Sequence, residues 1–218
     1  MKIAVIGAGG NLGGRVVRQA LERGHEITAI QRSETISDER VRLMRKSLFD
    51  LTRDDLMDMD VIISTFGSGF KADPSVNRDA FLKYIELADG TDKHLIAIAG
   101  AGSLYTDRSH STYEYETPGH PEFLKGISMN IRLGIDELRK TNHMNWTVVC
   151  PSREFDPEGP FTGEYLVGTE GEVIYNEEGN SYVTYDDLAK AMIDIAEQNS
   201  YQQMKITVAT KKSELSGT

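Results

Sequence analysis

The feature that most constrains this chain is a glycine-rich loop close to its N-terminus. An apolar run over 2–6 leads into Gly7-Ala8-Gly9-Gly10-Asn11-Leu12-Gly13, and an amphipathic segment follows. Glycine suits such a loop because the turn needs backbone angles that a Cβ forbids, and because a pyrophosphate must reach the backbone N–H groups. The N-terminus of the next helix offers free amides and a partial positive charge. This strand–loop–helix context predicts a dinucleotide site; the alternative is a tight turn without a ligand.

The end of the second predicted strand distinguishes the two nicotinamide dinucleotides. A carboxylate there would bind the ribose 2′-hydroxyl of NAD. This chain instead has Gln31-Arg32-Ser33 at that position, and the next acidic residue after the strand is Glu34. Arg32 offers a charged fork to a 2′-phosphate, and Ser33 offers a further donor. We therefore expect NADP(H) rather than NAD(H), the alternative being that Arg32 is merely a solvated residue after a strand.

Strands and helices alternate along most of the chain. Apolar runs at 2–6, 26–31, 41–46, 60–65, 94–99 and 145–150 alternate with helical spacing at 11–23, 74–88 and 122–140. This order predicts an α/β fold with a doubly wound parallel sheet, in one domain over 1–218. The alternating apolar and basic residues of 41–46 indicate a strand near the sheet edge. The Gly-, Pro- and acid-rich segment 151–184, with a strand-like piece at 172–175, is predicted to be an insertion over the carboxyl edge of the sheet, before a helix at 185–198 and a last strand at 204–209.

Composition excludes several classes of partner. The formal net charge of −10 makes sequence-independent binding to nucleic acid or to an anionic membrane unfavourable. No apolar stretch approaches the length of about 20 residues that spans a bilayer. Cys150 is the single cysteine, so no intrachain disulfide can form. The five histidines show no metal-ligand spacing. We expect a cytoplasmic protein without a metal.

Longer segments of the chain allow a comparison with a known family. MKIAVIGAGGNLGGRVVRQALERGHEITAIQR, DVIISTFG, IAIAGAGSL and MNWTVVCPS occur in that order, followed by GPFTGEYLVGTEGEVIYNEEGNSYVTYDDLAKAMIDIAE. Together they resemble the atypical short-chain dehydrogenase/reductases, a group that includes NmrA-like, NAD(P)H-binding proteins. The resemblance is strongest to bacterial NADH-flavin reductase-like proteins related to biliverdin reductase B. It implies a Rossmann fold with strand order 3-2-1-4-5-6 and a small C-terminal extension.

The resemblance also implies which residues contact the cofactor. By position they are Gly7, Gly10 and Gly13 in the loop; Arg32 at the 2′-phosphate; Ser64, Thr65, Phe66 and Gly67 beneath the cofactor; the segment from Gly100 and Ala101 to Ser103 near the nicotinamide; and Pro151 and Ser152 in the turn after the sixth strand.

One departure from the wider family limits the chemistry. Short-chain dehydrogenases usually carry Tyr-x-x-x-Lys, in which the lysine lowers the pKa of the tyrosine so that it acts as acid and base near neutral pH. Tyr84, Tyr113 and Tyr115 are followed four residues later by Ala88, Thr117 and Gly119. Alcohol–ketone chemistry, epimerisation and dehydration therefore lose their usual catalyst.

Hydride transfer to a planar acceptor does not need that tyrosine. It needs two stacked rings in the right orientation, and a proton can come from solvent. We therefore expect an NADPH-dependent oxidoreductase acting on flavins, quinones or similar acceptors. The alternative is a non-catalytic NAD(P)-sensing regulator of the NmrA type, which would bind a protein partner.

Five residues are candidates for assisting groups in the acceptor pocket. Ser103 could hydrogen-bond a substrate carbonyl, or simply turn the chain after the fifth strand. Tyr113, Tyr115 and His120 lie in a long polar, aromatic loop over 104–121 and could line the acceptor pocket, with a plain surface role as the alternative. Arg153 could attract an anionic substrate, or pair with Glu154 or Asp156.

Overall fold

The structure is a computed structural model that describes residues 1–32, 38–169 and 171–212. Its strands are β1 (Lys2–Ile6), β2 (Glu26–Gln31), β3 (Val41–Arg45), β4 (Val61–Ser64), β5 (His94–Ile98), β6 (Asn145–Pro151), β7 (Glu154–Asp156), β8 (Tyr165–Gly168), β9 (Tyr182–Thr184) and β10 (Met204–Thr210). Its α-helices are α1 (Asn11–Glu22), α2 (Ser75–Ala88), α3 (Glu122–Leu138) and α4 (Tyr185–Gln198).

Within these residues the main sheet has eight strands in the order β3-β2-β1-β4-β5-β6-β10-β8. The strands from β3 to β10 pair in parallel, and β8 pairs antiparallel with β10 at the edge. The predicted order 3-2-1-4-5-6 is confirmed, and β3 lies at the other edge, as its alternation indicated. The order reverses between β1 and β4, and in such sheets a crevice opens there, outside the carboxyl ends of the strands.

The helices cover the two faces of the sheet in pairs. α1 packs beside α4, and α2 packs beside α3. Val16 of α1 and Met192 of α4 share one apolar core with Ile63 of β4. Phe81 of α2 and Ile135 of α3 share the other core. The central strands are therefore buried on both sides, which explains their almost unbroken apolar sequences.

The segment 151–184 is divided between two sheets. β8 extends the main sheet, while β7 and β9 form a separate two-stranded parallel sheet. The piece at 172–175 is not a strand: Glu172 makes an isolated bridge with Tyr105. The backbone around this piece is instead hydrogen-bonded to the 104–121 loop. Tyr105 N donates to Gly171 O and Val173 N donates to Tyr105 O, both at 2.9 Å. None of the helices in the described ranges is long and apolar enough to cross a membrane.

Candidate active site

The loop between β1 and α1 is tied to the sheet by its backbone. Gly7 has a φ of 80°, a conformation that side chains rarely adopt. Its N–H donates to Ile30 O of β2 at 2.9 Å, and Gly10 N donates to Gly7 O at the same distance. A Cβ on Gly13 would overlap the Gly7 carbonyl oxygen and lie 2.8 Å from Thr65 Oγ1. Glycine at position 13 is therefore what lets α1 pack directly onto the loop.

The N-terminus of α1 is left open for an anion. Its N-cap is Gly10, which has no side chain to accept from the first-turn amides, and the first turn contains no acidic residue. Free amides and the helix dipole then both favour a negative group at this end. The loop and the helix end thus fit the pyrophosphate of a dinucleotide.

The segment after β4 supports the same loop from the other side. Thr65 Oγ1 donates to Ile6 O at 3.0 Å and to Gly7 O at 3.2 Å. Ser64 points away from the loop: it is fully buried, and its hydroxyl lies 2.7 Å from Tyr84 Oη. Thr65 is therefore a direct support of the loop, whereas Ser64 stabilises the core beneath it.

Two adjoining cavities open from this loop along the carboxyl edge of the sheet. Their volumes are about 460 and 470 Å³. They share part of their walls, namely Gly10, Thr65, Phe66, Gly67 and Ser68. The predicted residues that line one or both are Gly7, Gly9, Gly10, Asn11, Leu12, Gly13, Arg32, Thr65, Phe66, Gly67 and Gly100.

The first cavity, on the β2–β3 side, is basic. Arg32 and Lys46 line it, and among its described lining residues there is no carboxylate. Lys46 Nζ also contacts Asp55 at 2.7 Å. Phe49 and Phe66 form an edge-to-face pair, 5.8 Å between ring centroids, in the same wall. Ser33, predicted as a second phosphate donor, lies outside the described residues.

The second cavity, on the α2–α3 side, is aromatic and uncharged. None of the described residues that line it is Asp, Glu, Lys, Arg or His. Its aromatic side chains are Phe66, Phe70, Phe81, Tyr84, Phe155 and Tyr185. Tyr84 Oη is occupied by Ser64, and burial raises the pKa of Tyr84 well above its usual range. A planar apolar ring fits this lining better than a charged substrate does.

Four predicted cofactor residues do not line either cavity: Ser64, Ala101, Pro151 and Ser152. Pro151 and Ser152 are buried, and Ser152 Oγ donates to Val208 O at 2.9 Å. Sequence inspection also missed residues that do line the cavities. Lys46 and Phe49 follow β3, while Phe81, Ile127 and Ile131 lie on α2 and α3, where apolar helical spacing indicates a core residue equally well.

Two of the predicted substrate residues, Tyr113 and Tyr115, lie instead in a separate cluster around a buried lysine. The Tyr105 and Tyr113 rings stack at 4.5 Å, and Tyr115 stacks on Tyr113 at 5.7 Å. Lys205 Nζ lies 4.7 Å from the centre of the Tyr105 ring and donates to Ser103 O at 2.8 Å. Desolvation by burial lowers the pKa of Lys205 to about 8.

Tyr113 is not activated by this lysine. Desolvation and a hydrogen bond to Tyr105 raise the pKa of Tyr113 to about 12. The ammonium of Lys205 faces the flat side of the ring, 5.6 Å from its centre. The cluster therefore does not reproduce the tyrosine–lysine couple that the sequence lacks.

The remaining candidates are held by structural contacts. Arg153 forms two 2.8 Å hydrogen bonds with the Glu114 carboxylate, rather than pairing with Glu154 or Asp156. His120 Nε2 lies 3.3 Å from Ser128 Oγ, and desolvation lowers the pKa of His120. None of Tyr113, Tyr115, His120 and Arg153 lines the second cavity.

Ser103 is fully buried and turns the chain after β5. Its hydroxyl donates to Gly100 O at 2.8 Å and lies 3.6 Å from Cys150 Sγ. Burial in turn raises the pKa of the Cys150 thiol. Ser103 lines neither of the two cavities, and its contacts are those of a residue that turns the chain after the fifth strand. No group of three or more His, Cys, Asp or Glu in the described ranges could hold a metal ion.

Comparison with known proteins agrees with this geometry. Residues 7–199 match a family described as NAD(P)H-binding. The chain is 32% identical to the uncharacterized protein YwnB of Bacillus subtilis over 213 residues, 97% of this chain and 99% of YwnB. The crystal structure of a "putative NADH-flavin reductase" from Streptococcus pneumoniae superposes with a TM-score of 0.90 at 36% identity, covering 97% of this chain and all of that one. A Lactobacillus casei protein gives 0.85 at 25% identity, with 97% of this chain and 100% of that chain covered.

These matches confirm the Rossmann-type fold and the resemblance drawn from the sequence. They extend over nearly the whole chain and include the glycine loop from Gly7. Because the family match covers far more than half of the chain, it assigns the family directly: the chain belongs to the NAD(P)H-binding family.

Proposed function

We propose that this protein is an NADPH-dependent oxidoreductase that reduces flavins, quinones or similar planar acceptors by hydride transfer. The observation that carries the proposal is the second cavity. It adjoins the dinucleotide loop, and six aromatic side chains line it. The ionisable groups among its described walls are Tyr84 and Tyr185, and burial raises the pKa of both. Such a pocket can orient a ring, but it offers nothing for alcohol chemistry.

The chemistry divides simply between cofactor and protein. A reduced nicotinamide supplies two electrons and a proton as hydride. The protein holds the pyrophosphate at the Gly10 end of α1 and excludes water with apolar side chains of α2 and α3. Bringing two rings into contact at a reactive distance supplies most of the catalytic advantage. The second proton required by a quinone comes from water at the open mouth of the cavity.

The name of one structural neighbour supports the same class of reaction. The Streptococcus pneumoniae protein that superposes with a TM-score of 0.90 is described as a "putative NADH-flavin reductase". At 36% identity over 97% of this chain, a related activity is a reasonable inference for the present protein.

We further propose NADPH as the preferred reductant. Arg32 lines the first cavity together with Lys46, which is paired with Asp55, and no carboxylate stands among its described walls to bind a free 2′-hydroxyl. A 2′-phosphate would accept charge-assisted hydrogen bonds from Arg32. The name of the pneumococcal neighbour mentions NADH, so the preference has to be measured on this protein.

The first experiment is to follow NADPH and NADH oxidation optically with riboflavin, FMN and a small panel of quinones. We expect protein-dependent oxidation that is faster with NADPH. Tight binding of NADPH without oxidation by any acceptor would contradict the reductase and favour a dinucleotide sensor.

The cofactor preference is tested by Arg32→Ala, with Arg42→Ala as the control. Arg42 is an exposed arginine on β3 that lines a cavity at the amino ends of β1 and β2, away from the carboxyl ends where Arg32 lies. Loss of a charge-assisted hydrogen bond of about 1.5–3 kcal/mol corresponds to roughly 10- to 150-fold weaker NADPH binding. The affinity of Arg32→Ala for NADH, and the affinity of Arg42→Ala for both dinucleotides, should match the wild type. An equal loss for both dinucleotides would rule out the 2′-phosphate role.

A further inference from the structure

Two large aromatic side chains stand exposed at the mouth of the second cavity. Phe70 is 76% exposed and Phe123 is 67% exposed. Their rings meet edge to face, with centroids 5.7 Å apart and planes at 88°. Phe70 itself lines the cavity. Exposed apolar surface next to a ligand cavity indicates a recognition surface.

The pair continues the apolar wall of the cavity out to the surface. Phe123, Ile127 and Ile131 are spaced four residues apart on α3, so they share one face of the helix. Ile127 and Ile131 line the cavity, and Phe123 lies at the outer end of the same row. An unbroken apolar path therefore leads from the dinucleotide loop to the two phenylalanines.

The loop that carries Phe70 is fixed in place by specific contacts. Asn77 Nδ2, which is buried, donates to Ser68 Oγ at 3.0 Å and to Pro74 O at 3.1 Å. On the α3 side, Gly126 leaves room for Pro74: a Cβ at Gly126 would lie 3.1 Å from Pro74 Cγ. Both ends of the loop are thus anchored around Phe70.

The charged residues near the pair lie outside the cavity. Lys125, two residues beyond Phe123, pairs with Glu122 at 2.6 Å. The described walls of the cavity add no charge. Lys71, the neighbour of Phe70 in the chain, is exposed to solvent and does not line the cavity. An acceptor that reaches the pair therefore meets ring faces and edges.

We propose that Phe70 and Phe123 form an acceptor platform that holds the outer ring of an uncharged, fused-ring acceptor, such as a naphthoquinone or the isoalloxazine of riboflavin. This deepens the proposed function and rests on it. The inner ring of the acceptor meets the nicotinamide in the cavity, and the outer ring contacts the platform. NADPH is oxidised to NADP⁺ while hydride and one solvent proton convert the quinone to the hydroquinone. We expect a single-ring acceptor bound in the cavity to leave the platform uncontacted.

The test compares Phe70→Ala, Phe123→Ala and the double variant with the wild type, using NADPH. The probes are 2-methyl-1,4-naphthoquinone and 1,4-benzoquinone. Phe161→Ala is the matched control, because Phe161 is 57% exposed but lines a separate site beside Arg18 and Arg23. Each aromatic contact contributes about 0.5–1.5 kcal/mol, so we expect KM for the naphthoquinone to rise about two- to tenfold per variant. The KM for benzoquinone and the affinity for NADPH should stay within twofold.

A binding measurement separates failure of the platform from failure of the reductase. Equilibrium dialysis gives the Kd of the naphthoquinone for NADP⁺-saturated wild type and variants without any turnover. Weaker binding in the variants supports the platform even if the wild type oxidises no NADPH, in which case the proposed function alone fails. Unchanged naphthoquinone Kd and KM in the double variant would overturn the platform. A change in the mass of the variants in analytical ultracentrifugation, with acceptor binding unaltered, would also overturn the platform. The two phenylalanines would then form a contact with a second copy of the chain.

Discussion

The close packing of α1 on the glycine loop can be tested by Gly13→Ala. The new Cβ would overlap the Gly7 carbonyl oxygen and lie 2.8 Å from both the Gly7 carbonyl carbon and Thr65 Oγ1. Two of these three atoms belong to the backbone, which cannot rotate away. The overlap is therefore relieved only by moving α1 off the loop, at a cost of about 1–3 kcal/mol for an overpacked core site.

Gly14→Ala is the matched control on the same helix. Its Cβ would lie 3.8 Å from the nearest heavy atom, Ala8 O, which is ordinary van der Waals contact. Both substitutions gain about 0.5–1 kcal/mol from replacing glycine within a helix. This common gain cancels in the comparison, so the difference between the two variants isolates the overlap.

The assay is denaturant unfolding of both variants, followed by titration with NADPH. We expect Gly14→Ala to be as stable as the wild type or more stable, and Gly13→Ala to be about 1–3 kcal/mol less stable than Gly14→Ala. For a chain of this size each kcal/mol lowers Tm by about 2–4 °C. NADPH affinity should drop in Gly13→Ala alone. Equal stability and equal NADPH affinity in the two variants would refute the argument that this glycine sets the helix-to-loop distance.

Three further substitutions test contacts outside the loop. Burial lowers the pKa of Lys205 to about 8, so between pH 8 and about 10.5 the unfolded chain binds more protons than the native one, and the free energy of unfolding rises with pH. Subtracting the Lys205→Met profile from the wild type should leave a rise of about 1–2 kcal/mol between pH 8 and 9.5; a flat difference would contradict this. Asp187 accepts from Thr162 N, Thr162 Oγ1, Gly163 N and Thr210 Oγ1 at 2.8–3.0 Å, so Asp187→Asn should cost about 1–3 kcal/mol in urea unfolding, and an unchanged midpoint would count against it. A Cβ on Gly134 would lie 2.5 Å from Phe81 Cδ2; Gly134→Ala should therefore lower both Tm and naphthoquinone affinity, and loss of neither would show that Phe81 can move freely.

The parts of the fold that the sequence predicts are those fixed by local rules. β1, β2 and α4 match their predicted bounds, since apolar runs and helical spacing define them without reference to the rest of the chain. The loop after β1 is also predictable from the sequence, because its glycines are required by backbone conformation and by contact with nearby segments. The resemblance predicts that Thr65 lies beneath the cofactor. In the structure its hydroxyl donates to Gly7 O, which explains why a threonine suits this position next to the glycine loop.

The 104–121 loop shows why the rest could not be predicted. Its polar and aromatic residues suggested a site, but Tyr105 and Tyr113 pack on Lys205, which is about a hundred residues away in β10. A lysine in an apolar strand gives no sign that its ammonium is buried under two tyrosines. The same limit applies to the aromatic cavity, because Phe81 and Tyr84 of α2 face both the core and the cleft.

The distribution of charge along the cleft supports the proposed hydride transfer rather than acid–base catalysis. Arg32 and Lys46 line the first cavity, while the described walls of the adjoining cavity carry no charged side chain. An ionised acid–base pair in that apolar cavity would lose its hydration and would have to recover several kcal/mol from hydrogen bonds that the walls do not offer. The tyrosine and lysine that could have formed such a pair, Tyr113 and Lys205, are instead committed to holding the 104–121 loop on β10. We infer that the cavity suits a reaction in which the protein orients the reactants and excludes water from between them, while solvent supplies the proton.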